Sequence, residues 1–335
     1  MIYSAKLAAT LVSHMAKNML KGNKKYPYVL MLEPLFKCNL SCAGCGRIRE
    51  YKSLINEKLS GEECLHAAIQ AGAPVVSVTG GEPLIHPQIK DIIKILTENN
   101  FYVYLCTNGL KLAEFLDEVA PSERLSFVVH LDGSDSTHSQ ITGNADVYGR
   151  AIEGIKKAAR LNFKVRTNTT VYRNSNPEEI TDLFRSVISS GAHSVMVSPA
   201  FDYEDVESNI FMEKSETRSI FHTIYNSLDG TRIYNTPLYW DFLSGKRELK
   251  CTPWANPTFN PAGWKSPCYL ITDRHYKTYK QMIIETDWEK YGNGNDPRCA
   301  NCMVHSGFEA SAISSLHSVS DLYRMLKWSL TGRRV

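Results

Sequence analysis

The 335-residue chain has no run approaching the roughly 18 uncharged apolar residues that a membrane-crossing helix needs. Residues 1–25 also lack the continuous apolar stretch and small-residue cleavage site of a secretory leader. The expected location is therefore the cytoplasm, at most peripheral to the inner membrane. Net charge is scarce too: 38 Lys and Arg against 35 Asp and Glu leave +3, too little to argue for a nucleic-acid partner. Repeats and low-complexity tracts are absent. What is present is an ordinary globular composition, 43% apolar and 22% charged, long enough for one large domain and a smaller one. Cysteine is the exception to this plainness. Nine are present and they cluster, which in a reducing compartment implies metal or redox chemistry rather than disulfides.

The first cluster is Cys38, Cys42 and Cys45, at C-x3-C-x2-C spacing directly after an apolar run. A loop this short keeps its sulfurs together, so three thiolates can converge on one metal centre. No fourth cysteine lies nearby, which leaves one coordination position open. Soft thiolates select zinc, copper(I) or iron–sulfur clusters. Structural zinc usually shows paired knuckles, and three is an odd number for disulfides. A cluster with one iron free for a substrate is the reading that uses both the spacing and the open position.

This loop after a strand resembles the signature of the radical S-adenosylmethionine (SAM) superfamily. The resemblance implies a [4Fe-4S] cluster that binds SAM and cleaves it to a 5′-deoxyadenosyl radical. One departure is Gly44, where that family usually has an aromatic residue, which points to a subfamily.

Along the chain, a helix is expected over 5–20, amphipathic and cationic, docked on the domain by its apolar face or lying on a membrane surface. Strands at 28–33, 75–79, 102–106, 125–131, 164–171 and 194–198 then alternate with helices, the pattern of parallel β/α units in an α/β fold. Ser60 and Glu63 make a capping box, and Asn176-Pro177 opens another helix. Six such units match the partial (β/α)6 TIM-like barrel that the resemblance implies. In parallel barrels chemistry gathers where strands end. Gly80-Gly81-Glu82-Pro83 lies at such an end, and two glycines let backbone come close to a ligand or simply turn tightly. Behind the three cysteines it resembles the superfamily's GGEP motif, which contacts the methionine part of SAM. Asn108, Asp132, Asn168 and Ser198 also stand at strand ends, as candidates to bind SAM or as ordinary loop polars. His130 and Arg166 face the ligand or are satisfied inside the barrel. Cys106, near the end of the third strand, is either a small buried hydrophobe or a hydrogen-atom donor to a carbon radical.

The β/α rhythm stops after Pro199. The expected organisation is an N-terminal helix at 1–26, a barrel at 27–200 and an irregular, α-rich C-terminal domain at 201–335 that covers the substrate. Its aromatic segments at 234–242 and 251–254 suit either a wall over an apolar ligand or ordinary core packing. Cys251, Cys268, Cys299 and Cys302 form a second candidate metal set, for an auxiliary iron–sulfur cluster or zinc. At the C-terminus Val319, Leu322, Met325, Leu326 and Leu330 make an apolar stripe near Arg324, Lys327, Arg333 and Arg334, with docking to the domain expected over membrane contact.

A closer resemblance extends over nearly the whole chain. The segments 31–38, 104–108, 130–133, 251–254 and 299–305 are similar to the HpnH family of hopanoid-biosynthesis radical SAM enzymes. That family adds the adenosyl radical to the alkene of diploptene, giving adenosylhopane. The resemblance implies SAM as substrate, Cys106 as hydrogen donor, a polycyclic lipid partner and a reductant such as flavodoxin or ferredoxin. Ser306 departs from it, since the family commonly has cysteine there. Two other functions stay open: hydrogen abstraction from a peptide or sugar with an auxiliary cluster, and a non-enzymatic metal-binding module.

Overall fold

The computed structural model describes residues 2–206, 209–292, 294–316 and 318–333. Arg334, counted above with the cationic C-terminus, lies outside them. Nine strands form one sheet: β1 (Val29–Leu32), β2 (Val75–Val78), β3 (Tyr102–Thr107), β4 (Leu125–His130), β5 (Lys164–Val171), β6 (Val195–Pro199), β7 (Thr258–Asn260), β8 (Gly263–Pro267) and β9 (Thr272–Tyr276). Their order is β6-β5-β4-β3-β2-β1-β7-β8-β9. The first six are parallel and in sequence order, as six β/α units require.

Local chemistry explains the connecting helices. Ser60 and Glu63 close a reciprocal cap on helix Gly61–Ala71, and Asn176 caps Pro177–Ser189 with proline in its first turn. The apolar faces of these helices lie on the sheet, and Leu30, Leu32, Val76, Val103, Phe127 and Val165 form the core beneath them. Side chains on the other face of the strands turn into the barrel. Met31, Tyr104, Cys106, Asn168 and Met196 are only half-buried there, so the barrel interior is open.

The C-terminal region is helical as expected, but it also carries β7 to β9, which the sequence reading did not anticipate. β7 joins β1 in parallel, with Met31 opposite Thr258, and β8 and β9 follow antiparallel. These strands are three to five residues long and hold Gly263, Lys265 and Pro267, so they show no apolar alternation.

Two readings left open by the sequence are decided here. The aromatics of Pro237–Leu243 form no wall over a ligand: Tyr239, Trp240 and Phe242 are at most 1% exposed and pack with Phe221, Tyr225 and Phe308 in the core. The terminal helices also differ from each other. Ala5–Leu20 docks by Leu7 and Leu11 on Val75 and Tyr102, at the end of the barrel where strands begin. Helix Val319–Thr331 docks by Trp328 and by the ion pairs Arg324–Asp241 and Arg247–Asp321, each 2.6 Å. Its apolar stripe does not dock, because those polar anchors occupy the inward side. Val319, Leu322, Tyr323, Leu326 and Leu330 are each more than half exposed, and only Met325 packs inward. Among the described residues no helix is long and apolar enough to cross a membrane.

Candidate functional site

The cysteine loop leaves the end of β1, and Cys38, Cys42 and Cys45 are half-buried on it. Two tyrosines from distant segments shape it. A Cβ added to Gly44 would stand 2.7 Å from the ring of Tyr172, and one added to Gly46 would stand 2.4 Å from Tyr203. The ring that lies against position 44 is thus that of Tyr172, just past the end of β5. The Arg49 guanidinium donates to the Cys42 carbonyl at 3.3 Å and to that of Cys45, while Leu40 N–H points at Cys38 Sγ from 3.4 Å. Burial pushes the Cys42 thiol up to about 12 and Cys38 to about 11. As free thiols both stay protonated at neutral pH; a bound cation would be needed to hold them as thiolates.

Below the loop lies a buried charged network that sequence reading missed. Glu33, just past β1, pairs with Arg47 at 3.0 Å, and Arg47 pairs with Glu50 at 2.7 Å. Lys265 from β8 reaches Glu50 at 3.1 Å, and Asn260 from β7 donates to Glu33 at 3.1 Å. Burial works most strongly against the Arg47 charge, but Glu33, Tyr203, Tyr269 and Glu50 together raise its pKa and the guanidinium stays ionised. Arg47 and Glu50 are an i,i+3 pair, but Glu33 and Arg47 lie in different elements and Glu50 and Lys265 are 215 positions apart, so only the fold brings the network together.

The glycines of Gly80-Gly81-Glu82-Pro83 approach backbone. Gly80 has φ +107°, and a Cβ there would fall 2.4 Å from the Leu35 carbonyl oxygen. A Cβ on Gly81 would fall 2.0 Å from that of Lys37. Gly81 N–H and Glu82 N–H donate to those two carbonyls at 3.0 Å, so the motif braces the cysteine loop from beneath. Pro83 is buried and opens a short turn of 3-10 helix. The Glu82 carboxylate is buried and committed within the protein: it accepts from Thr107 Oγ1 at 2.7 Å, Asn108 N–H at 2.8 Å and Leu84 N–H at 3.0 Å. Asn108 in turn donates to Asn39 Oδ1 at 2.8 Å. The ends of β2 and β3 are thereby tied to the loop.

Inside the barrel, Cys106 Sγ lies 3.5 Å from Ser77 Oγ. Burial raises this thiol to about 11, so it carries its hydrogen at neutral pH. Both Asp132 oxygens are taken, one by Thr170 N–H and one by His130 Nε2, each at 2.7 Å. Burial opposes a charge on His130, but Asp132 raises its pKa. Ser198 is buried and donates to the Pro199 carbonyl at 3.2 Å. Asn168 differs, because its buried Oδ1 has no partner. Arg166 is held between the rings of Tyr104 and Tyr234, 4.7 and 4.2 Å from their centres, and its Nε and Nη1 lack hydrogen-bond partners.

Outside the barrel, Cys251, Cys268, Cys299 and Cys302 line a single cavity with Phe201 and Phe308. Tyr269, next to Cys268, reaches back: its carbonyl accepts from Arg47, whose guanidinium lies 4.5 Å from the Tyr269 ring centre.

Comparison with known proteins matches residues 32–187 to the Radical SAM superfamily and residues 195–325 to DUF3463, a domain of unknown function. An AdoMet-dependent heme synthase of Methanosarcina barkeri is 32% identical over 50% of this chain and 48% of its own length. A probable GTP 3′,8-cyclase of Pyrococcus abyssi is 31% identical over 44% and 49%. The chain thus spans about half the length of the curated relatives it matches. Streptococcus suis SuiB bound to S-adenosylmethionine shares the fold with a TM-score of 0.60 at 18% identity, covering 86% of this chain and 70% of that one. For anSMEcpe with bound AdoMet the values are 0.57 and 13%, over 91% and 97%. Residues 32–187 thus match the Radical SAM superfamily, whose cofactors are a [4Fe-4S] cluster and S-adenosylmethionine.

Proposed function

We propose that this chain is a radical SAM adenosyltransferase that adds the 5′-deoxyadenosyl group to the alkene of a hopene such as diploptene, with formation of a carbon–carbon bond. The residues fit the cofactors. Cys38, Cys42 and Cys45 are three half-buried thiols on one braced loop, with no carboxylate or imidazole among them. They would hold the cluster, and Gly80 to Pro83 would keep the loop in place beside the methionine part of SAM. When bound, the cluster and SAM supply a 5′-deoxyadenosyl radical by one-electron cleavage of a carbon–sulfur bond.

The remaining roles belong to side chains of the barrel. Asn168 has a free buried acceptor for a ribose hydroxyl, and Ser198 lies on the neighbouring strand two residues from its pairing partner Met196. Asn108 links the ligand end of β3 to the loop. Asp132 acts through His130, which it orients. Once the new bond has formed at the terminal alkene carbon, a tertiary carbon radical is left. Cys106 gives it a hydrogen atom and becomes a thiyl, which one electron and one proton from a reductant such as flavodoxin or ferredoxin restore. The observation that carries this reading is the half-buried Cys106 thiol inside the barrel, on the strand whose end Glu82 and Asn108 tie to the cysteine loop.

A lipid substrate brings the protein to a bilayer. The exposed stripe on Val319–Thr331, with Lys327 and Arg333 nearby, supports peripheral attachment. A second reading is hydrogen abstraction from a peptide. It is supported by Arg166 and Asn168, polar groups without full partners that a pure hydrocarbon cannot satisfy. The fold neighbour SuiB has been solved with its precursor peptide.

Anaerobic incubation of the reconstituted protein with SAM, a reductant and diploptene, followed by mass spectrometry of the lipid extract, tests the proposal. An adenosylated lipid is expected. Free 5′-deoxyadenosine without adenosylated lipid overturns it and favours abstraction.

A further inference from the structure

The four C-terminal cysteines reach their cavity from separate places in the chain. Cys251 precedes the turn Pro253–Ala255, Cys268 follows β8, and Cys299 and Cys302 form a knuckle closed by Cys302 N–H on the Cys299 carbonyl at 3.1 Å. Such convergence is costly unless something uses it. Four half-buried thiols side by side make few good hydrogen bonds, and a core could be filled better by alkyl groups.

Space has been left for the sulfurs. A Cβ on Gly307 would fall 2.7 Å from Cys251 Sγ, so glycine is what lets that thiol lie at the cavity. Ile271 N–H points at Cys268 Sγ from 3.4 Å, an orientation that favours a thiolate. The other walls are mainly apolar, with Phe201, Leu270, Ile271 and Phe308, and among the described residues neither a histidine nor a carboxylate lines the cavity. That donor set is soft sulfur alone, which leaves zinc or an iron–sulfur cluster.

Geometry separates these two. A single zinc ion draws its ligands to one point at about 2.3 Å. A cubane spreads four thiolates over four iron corners, so its ligands stand around a volume. Cys251, Cys268, Cys299 and Cys302 stand around one shared cavity together with Phe201 and Phe308, which is the second arrangement.

We propose that Cys251, Cys268, Cys299 and Cys302 hold a second [4Fe-4S] cluster, fully ligated by protein and closed to both SAM and substrate. This goes beyond the adenosyl-transfer reading and holds under either substrate. Ser306 lines the same cavity, but four thiolates already complete the set. Through Tyr269, which follows Cys268 and carries the Arg47 contact, the second site touches the segment that follows Cys45.

The test is iron and acid-labile sulfide analysis, with zinc measured alongside, after anaerobic reconstitution with iron and sulfide. Wild-type protein is expected to bind about eight irons per chain, and Cys38→Ala/Cys42→Ala/Cys45→Ala about four. The triple variant should give the electron paramagnetic resonance signal of a reduced [4Fe-4S] cluster and should not cleave SAM. Cys302→Ser in the otherwise wild-type chain is expected to fall to about four irons while still cleaving SAM. This second variant reads the site from the other side should the triple variant fail to fold. Zinc in place of iron, or a wild-type content of about four irons unchanged by Cys302→Ser, overturns the proposal. Neither readout requires a hopene, so failure of the lipid assay leaves this result intact.

Discussion

The ring of Tyr172 lies on the backbone of Gly44, so close that a Cβ there would stand 2.7 Å from the tyrosine Cε1 and hydroxyl oxygen. Gly44→Ala should therefore push the loop off its seat, at about 1–3 kcal/mol of overpacking. Reconstituted iron content is expected to fall, and Tyr172→Leu added to it to recover most of the loss. Equal loss in single and double variants would show that the two residues are not coupled.

Cys106→Ala should leave SAM cleavage intact but change the fate of the substrate radical. The expected result is a drop of at least about tenfold in reduced adenosylated product, a difference of about 1.4 kcal/mol in barrier. Unchanged yield and stereochemistry would remove Cys106 from the chemistry.

Arg47→Met removes the cation that Glu33 pairs with in a buried setting, leaving it only the Asn260 amide, and removes one of the two cations on Glu50. Loss of one partner of a buried pair costs about 3–5 kcal/mol. A denaturant titration should show it as a lower midpoint with an unchanged slope. Lys265→Met should cost less, because Glu50 keeps Arg47.

These residues mark what sequence could and could not show. The cysteine loop, the Gly80–Pro83 turn and six β/α units were legible because each is a local pattern: fixed spacing, a glycine pair at a strand end, apolar runs of strand length. Tyr172 and Tyr203 were not, since nothing near them in sequence refers to Gly44 and Gly46. Strands β7 to β9 were hidden by brevity and by Gly263, Lys265 and Pro267. The C-terminal stripe was legible as amphipathic, but its direction was not, because Arg324 and Trp328 do the docking. The place of Asp132 after β4 suits either a ligand contact or an ordinary loop polar; the fold commits both its oxygens to Thr170 and His130.

Glu309 gives a pH dependence. Burial pushes its carboxyl up to about 7, although Thr236 and Asn235 donate to it. The folded chain then holds a proton that the unfolded chain has released. The stability from this group is fully present below about pH 4.5 and is lost as pH rises through about 7. Relative to Glu309→Gln, the wild type should lose stability between about pH 4.5 and 7 in thermal unfolding. A constant difference across that range would sink the assignment.

The exposed stripe makes a prediction that spares the fold. Leu322→Glu with Leu326→Glu should change stability by no more than about 0.5 kcal/mol, since both side chains already face water. Sedimentation with anionic vesicles should fall several-fold. Equal binding by both proteins would mean that the stripe does not meet lipid.

The pairing of β7 with β1 means that the two matched regions are not interchangeable parts. β1 is the strand that delivers the cysteine loop, and its outer edge is covered by residues more than 220 positions away, with Glu33 N–H donating to the Phe259 carbonyl at 2.9 Å. Cutting after residue 200 would leave that edge as unpaired backbone, open to another chain. It would also remove Asn260 and Lys265 from the charges under the loop. The first 200 residues expressed alone should aggregate, and a C-terminal region grafted from a relative would have to bring a matching strand. The C-terminal region is thus hydrogen-bonded to the strand that carries the cysteine loop.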